Sequence, residues 1–173
     1  IRDRSHGLAG ITFTEHAEWY PDDEAYGFLD LGRYFAEVDD IRDRFAGSVD
    51  VLSGVELGNP HEFPKEVARM LERYRFDLVI GSVHWLDNLP GWEPPIFAQG
   101  LDATYRRYFE EVVRMVDLAA ADGIDFDVLG HADLVRRDSW ELFHQDLALD
   151  PYRDLIDVAL RSLINAGRGL EIN

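Results

Sequence analysis

The 173 residues suit one domain, since a domain commonly takes roughly 100–200 residues, and a 46% hydrophobic, 12% aromatic composition can close a core. Seventeen Lys and Arg against 34 Asp and Glu leave a net charge of -17, which repels a phosphate backbone and excludes nucleic-acid binding through a basic face. With no Cys there is no disulfide, thiolate nucleophile or Cys-ligated metal, so a metal here must be held by His and carboxylate.

No apolar run reaches the roughly 18 residues that span a bilayer, and no apolar leader opens the chain. The expectation is a cytoplasmic protein without a membrane partner. The sequence begins at Ile1 without Met and stops within the apolar run Gly169-Leu170-Glu171-Ile172-Asn173, which reads as a piece of a longer chain.

In chain order, β-branched runs alternate with segments of helical period. A strand is predicted over 10–14, then a helix from Leu31 whose apolar positions Leu31, Tyr34, Phe35, Val38, Ile41 and Phe45 end near Gly47. A second strand covers 49–56, followed by a helix over 64–74 that opens on Pro64. A third strand covers 76–83. From Asp102, read as an N-cap, the stripe Tyr105, Tyr108, Phe109, Val112, Val113, Val116 and Ala120 predicts a long helix stopped by Gly123. Strands over 124–129 and 169–172 flank a last helix over 150–166. Such alternation implies right-handed βα units on a parallel sheet. No glycine-rich dinucleotide turn supports an open nucleotide-binding sheet, which leaves a barrel by default.

The C-terminal ends of the predicted strands carry Thr14-Glu15-His16, Gly54-Val55-Glu56-Leu57-Gly58, Gly81-Ser82-Val83-His84 and Leu129-Gly130-His131-Ala132-Asp133. In a parallel sheet these ends share one rim, where α/β barrels build their active sites. Neutral imidazole and carboxylate together suit Zn²⁺, Mn²⁺ or Fe²⁺, and bound cations would let so acidic a chain accept an anionic substrate. His6, His61 and His144 fall outside this pattern, in predicted loops or helices. Asp133 sits where it would cap the helix or turn after His131, and Trp85 and Trp92 flank a loop as anchors. Gly54, Gly58, Gly81 and Gly130 beside the candidates would let backbone or ligand approach closely.

Thr14-Glu15-His16, Gly54-Val55-Glu56, the run Ile80 to Leu86, the run Asp127 to Val135 and Leu170-Glu171-Ile172-Asn173 resemble the PHP (polymerase and histidinol phosphatase) family, in order and over nearly the whole chain. Within it they are most similar to the histidinol-phosphate phosphatases. The resemblance implies a distorted (βα)7 TIM-like barrel holding up to three divalent ions (Zn, Mn or Fe) and hydrolysing a phosphate monoester, with L-histidinol phosphate as the small phosphorylated substrate. It makes His16, Glu56, His84 and His131 metal ligands, Glu56 bridging two ions, and Arg136 or Arg137 the phosphate-binding groups. The family's opening His-x-His and closing Asp-x-His strands lie outside these residues, so the expected object is a single PHP domain fragment, residues 1–173, with an incomplete barrel and fewer ligands. A nucleotide or sugar phosphate as substrate, or a non-catalytic metal-binding PHP module, are the alternatives.

Overall fold

The computed structural model describes residues 8–121 and 123–172; His6, Asn173 and the side chain of Ala120 lie outside the described positions. The first strand, β1 (Gly10–Ala17), leads into α1 (Leu31–Arg44), whose start is fixed by Asp30 accepting the Arg33 N–H at 3.0 Å. Next come β2 (Asp50–Gly58), α2 (Pro64–Arg73) and β3 (Leu78–Ser82). A small antiparallel hairpin, β4 (Trp85–Leu86) and β5 (Leu89–Pro90), precedes α3 (Leu101–Ala121). Last are β6 (Val128–Leu129), α4 (Leu134–Phe143), α5 (Arg153–Ala166) and β7 (Gly169–Leu170).

Five strands form one parallel sheet in the order β1-β2-β3-β6-β7. Each sits beside its predecessor in this series, with no reversal of direction. Doubly wound sheets reverse their strand order at a switch point, whereas a barrel winds one way. The architecture is therefore an incomplete TIM-like α/β barrel, five parallel strands of the expected seven being present among the described residues.

The main core lies between the sheet and α3. Tyr105, Tyr108, Phe109, Val112, Met115 and Val116 of α3 join Val55, Leu57, Val79 and Leu129 of the strands and Ala159 and Leu163 of α5. A smaller cluster seats Tyr34 and Val38 of α1 on Val51, flanked by Phe35 and Phe76. Alternate strand residues point away from these helices. That second face carries Thr12, Thr14 and His16 on β1 beside Leu52, Gly54 and Glu56 on β2, and the register pairs His16 with Glu56.

Three local expectations are corrected and one is sharpened. The strand over 124–129 shrinks to Val128–Leu129, because Ile124 and Phe126 are apolar for burial in the core rather than for laddering. Before it, Asp127 satisfies β3 from both its main chain and its side chain: its N–H donates to the Val79 carbonyl and its carboxylate accepts the Val79 N–H at 2.7 Å. Asp102 is not a cap; α3 starts at Leu101, and Asp102 accepts the Tyr152 hydroxyl at 2.8 Å. The segment between Trp85 and Trp92 is a hairpin, turned through Asp87 and Asn88 with φ of 52° and 60°, the paired positive values of a type I′ turn. The segment after His131, expected as a helix or a turn, is the helix α4; two of its buried positions are polar, Asp138 and Ser139, which blurs its apolar period. None of the described helices is long and apolar enough to cross a membrane.

Candidate metal centre

The rim at the C-terminal ends of the strands gathers His16, Glu56, His84 and His131, each from a different strand end. His16 is the last residue but one of β1 and Glu56 lies near the end of β2; His84 and His131 follow β3 and β6 by two residues. His84 Nε2 is 3.0 Å from Glu56 Oε1, and His131 Nε2 is 2.9 Å from the same oxygen. The two ring nitrogens stand 3.1 Å apart. His16 Nε2 lies 3.5 Å from Glu56 Oε2. Ser82 donates its hydroxyl to Glu56 Oε1 at 2.7 Å.

Glu18 was not singled out in the sequence. Its Oε1 lies 2.7 Å from His84 Nδ1 and 3.1 Å from His16 Nδ1, so it joins the first and third strand ends. The signal was available: a strand repeats every two residues, which puts Glu18 on the face of His16. Glu171 was also passed over; it accepts the His131 main-chain N–H at 2.8 Å and lines the same cavity. Two glycines make room. A Cβ on Gly58 would collide with the Glu18 carboxylate, and one on Gly130 would collide with Ser82 Oγ.

The two carboxylates, His16 and His84 set each other's protonation. Burial opposes a charge on His84, yet hydrogen bonds to Glu18 and Glu56 outweigh it and the imidazole is pushed up to about 9. Burial likewise opposes ionisation of Glu56, and the contacts with His131, His84 and Ser82 hold it well below the usual carboxylate range. Glu18 is lowered against its burial by His16 and His84, and His16 is raised chiefly by its hydrogen bond to Glu18. The carboxylates thus call for positive charge. No Lys or Arg among the described residues pairs with either one.

The donor set fits a divalent cation. His16, Glu18 and His84 form one group whose ligand atoms lie within 4.8 Å of one another, and Glu56, His84 and His131 form a second. Three polar hydrogens cannot all sit well on Glu56 Oε1, whereas nitrogen and oxygen lone pairs converging on a point are what Zn²⁺, Mn²⁺ or Fe²⁺ require.

The centre opens on a cavity of about 640 Å³. Its wall includes Asp23, Glu24, Glu171, Trp92 and Arg137. Arg137 leans on buried Asp138 at 3.2 Å. Arg136 is placed elsewhere: it grips Asp146 through two hydrogen bonds, 2.9 Å and 2.5 Å, and is not among the cavity's lining residues. Asp133 stands at the N-cap of α4 but its side chain makes no capping hydrogen bond. His144 ends α4 in left-handed conformation, and His61 is buried against Glu111, 2.6 Å away.

A parallel barrel with a His and Glu cluster at its C-terminal rim defines a class of metal-binding α/β domains, and here the class has a name. Residues 2–173 match the family model described as PHP domain, and the chain belongs to that family. It is 34% identical over 139 residues to a Deinococcus radiodurans protein named probable histidinol-phosphatase, covering 76% of this chain and 51% of that one. It is 27% identical to the histidinol-phosphatase of Lactococcus lactis, covering 98% of this chain and 61% of the relative. A crystal structure of histidinol phosphate phosphatase from Lactococcus lactis, complexed with zinc, L-histidinol and phosphate, superposes with a TM-score of 0.83 at 25% identity, covering 97% of this chain and 62% of that one. The chain thus spans about half to three-fifths of the length of these relatives.

Proposed function

We propose that this chain carries the metal-binding rim of a phosphomonoesterase, and that the full-length protein converts L-histidinol phosphate and water to L-histidinol and inorganic phosphate. The observation that carries this reading is the meeting of Glu56 Oε1 with His84 Nε2 and His131 Nε2, all within 3.1 Å of one another, at the floor of a cavity large enough for a small ester. His16, Glu18, Glu56, His84 and His131 would hold the ions, with Glu56 shared because its two oxygens face different imidazoles. Divalent ions bound there would activate water and offset charge on the phosphoryl oxygens.

Arg137, on the cavity wall, is the group available to hold the phosphate; Arg136 is committed to Asp146. Asp23, Glu24 and Glu171 make the remaining wall negative, and Trp92 adds a flat apolar surface. Such a wall attracts a leaving alcohol that is itself cationic and ring-bearing, and repels the extra phosphates of a nucleotide. An amino alcohol with an imidazole ring meets both conditions, which favours histidinol phosphate over a sugar or nucleotide phosphate. The names of the relatives support the same choice.

The test is phosphate release by the full-length protein loaded with Mn²⁺ or Zn²⁺, across histidinol phosphate, sugar phosphates and nucleoside monophosphates. Histidinol phosphate should give the highest kcat/KM. Faster cleavage of another ester would remove the substrate and keep the reaction class, and no release from any of them would leave a binding module.

A further inference from the structure

His84 is held from both directions by a residue that touches none of the proposed ligand atoms. Asn59 is fully buried just after β2, in left-handed backbone with φ 44°. Its side-chain Oδ1 accepts the main-chain N–H of His84 and that of Trp85, each at 2.9 Å. Its Nδ2 donates to the Trp85 carbonyl at 2.9 Å, and its own N–H donates to the Ser82 carbonyl at 2.8 Å. The His84 carbonyl accepts the Gly91 N–H at 2.8 Å. The turn from β3 into the hairpin therefore has its polar groups pinned mainly by one amide. Asn tolerates left-handed backbone better than most side chains, and Gly adopts it freely but could not supply these bonds.

The consequence lies in the direction of the imidazole. With its main chain fixed, His84 has only its side-chain torsions left, and those deliver Nδ1 to Glu18 and Nε2 to Glu56. Trp85, clamped by the same amide, donates its indole N–H to Asp23 at 2.7 Å and stacks on Tyr20 with centroids 4.4 Å apart. One side chain thus locks a donor at the rim together with the stacked aromatic pair beside it.

We propose that Asn59 is a positioning residue for the metal centre, setting divalent-ion affinity by fixing the main chain of His84 without contacting the ion. The inference rests on the metal reading above. Outer partners that orient a ligand commonly change affinity by about 10–100-fold, and the same range is expected here.

Co²⁺ is the probe, because its visible absorption reports the ligand field independently of turnover. In the full-length protein, Asn59→Gly keeps the backbone geometry accessible and removes the clamp; it should bind Co²⁺ at least about tenfold more weakly, with an altered visible band. Asn59→Asp keeps both acceptor contacts and should stay nearer to the unmutated protein than Asn59→Gly does. A folded Asn59→Gly with unchanged affinity and spectrum overturns the proposal. So does an Asn59→Asp that folds but binds no better than Asn59→Gly. Should neither variant fold, hydrogen exchange on the unmutated protein decides: the His84 and Trp85 amides should slow when Co²⁺ is added, and unchanged exchange overturns the coupling. If the unmutated protein gives no His84-dependent Co²⁺ spectrum, the metal reading itself fails, which is a separate result.

Discussion

Among the described residues, two clusters place His and Glu donors within metal-binding distance, and they differ in whether a cationic side chain already sits there. At the sheet rim, Glu18 and Glu56 face three imidazoles, pair with no Lys or Arg among the described residues, and border a cavity. Behind β2, His61 meets Glu111 at 2.6 Å, while Arg114 lies 2.8 Å from Glu111 and 3.2 Å from Glu62. Tyr20 donates its hydroxyl to Glu62 as well. In the second cluster the guanidinium already occupies the place of the cation, fastening α3 to the turn at Pro60–Glu62. Donor type and spacing therefore do not make a metal site. Unmet negative charge facing open space does, because the ion must recover there what it loses in dehydration.

The contrast breaks most sharply under substitution. Orienting partners outside a metal's ligands cost about 10–100-fold, so removal of a proposed ligand from the full-length protein, as in His84→Ala or Glu56→Gln, should lower phosphate release by more than about 100-fold while circular dichroism stays native. Glu111→Gln should leave turnover unchanged. Equal losses in the two clusters would erase the distinction drawn between them.

Chelation gives the next largest effect. Ions present at about 100 times their Kd stabilise a folded protein by about 2.7 kcal/mol, which for a protein of about 150–250 residues corresponds to a melting shift of roughly 5–10 °C and for a longer chain to the lower end of that range or below it. EDTA should lower Tm by that order in the unmutated full-length protein and hardly at all in Glu56→Gln. A Tm indifferent to EDTA in both would leave the rim without a resident ion.

Acid should probe the other cluster, with the smallest effect. Burial alone would raise Glu111, but the hydrogen bond from His61 and the Arg114 guanidinium hold it below its ordinary value of 4.5. The unfolded chain then takes up a proton before the folded one does, so this contribution is complete above pH 4.5 and is lost as pH falls through the lower folded value. Urea unfolding followed from about pH 6 down to about pH 3 should show a shallower acid decline in Glu111→Gln than in the unmutated protein. Parallel curves would mean that the His61 and Glu111 pair carries no net charge stabilisation.

How much of this was legible beforehand varied by element. Long helices with an apolar stripe, α1 and α3, announced themselves because burial on one face imposes a period that chemistry at the ends does not disturb. The bounds of the short strand β6 and the choice of helix over turn at α4 were less legible, since polar side chains interrupt the pattern there: Asp127 at the strand entrance, Asp138 and Ser139 inside the helix. At the rim the strand-end rule pointed to His16, Glu56, His84 and His131. It gave no weight to Glu18, one step beyond β1, and could not separate Arg137 from Arg136, which are neighbours in sequence and diverge in space.

Composition and pattern alone determined that a parallel α/β chain of high negative charge and no thiol could present imidazole and carboxylate donors at one end of its strands. Only the tertiary structure decided which donors share an oxygen, which arginine borders the cavity, and that Asn59 grips the turn bearing His84. Periodicity reports the face on which a side chain lies. Hydrogen bonds between residues 25 to 75 positions apart depend on how strands and helices dock, and no local repeat encodes that.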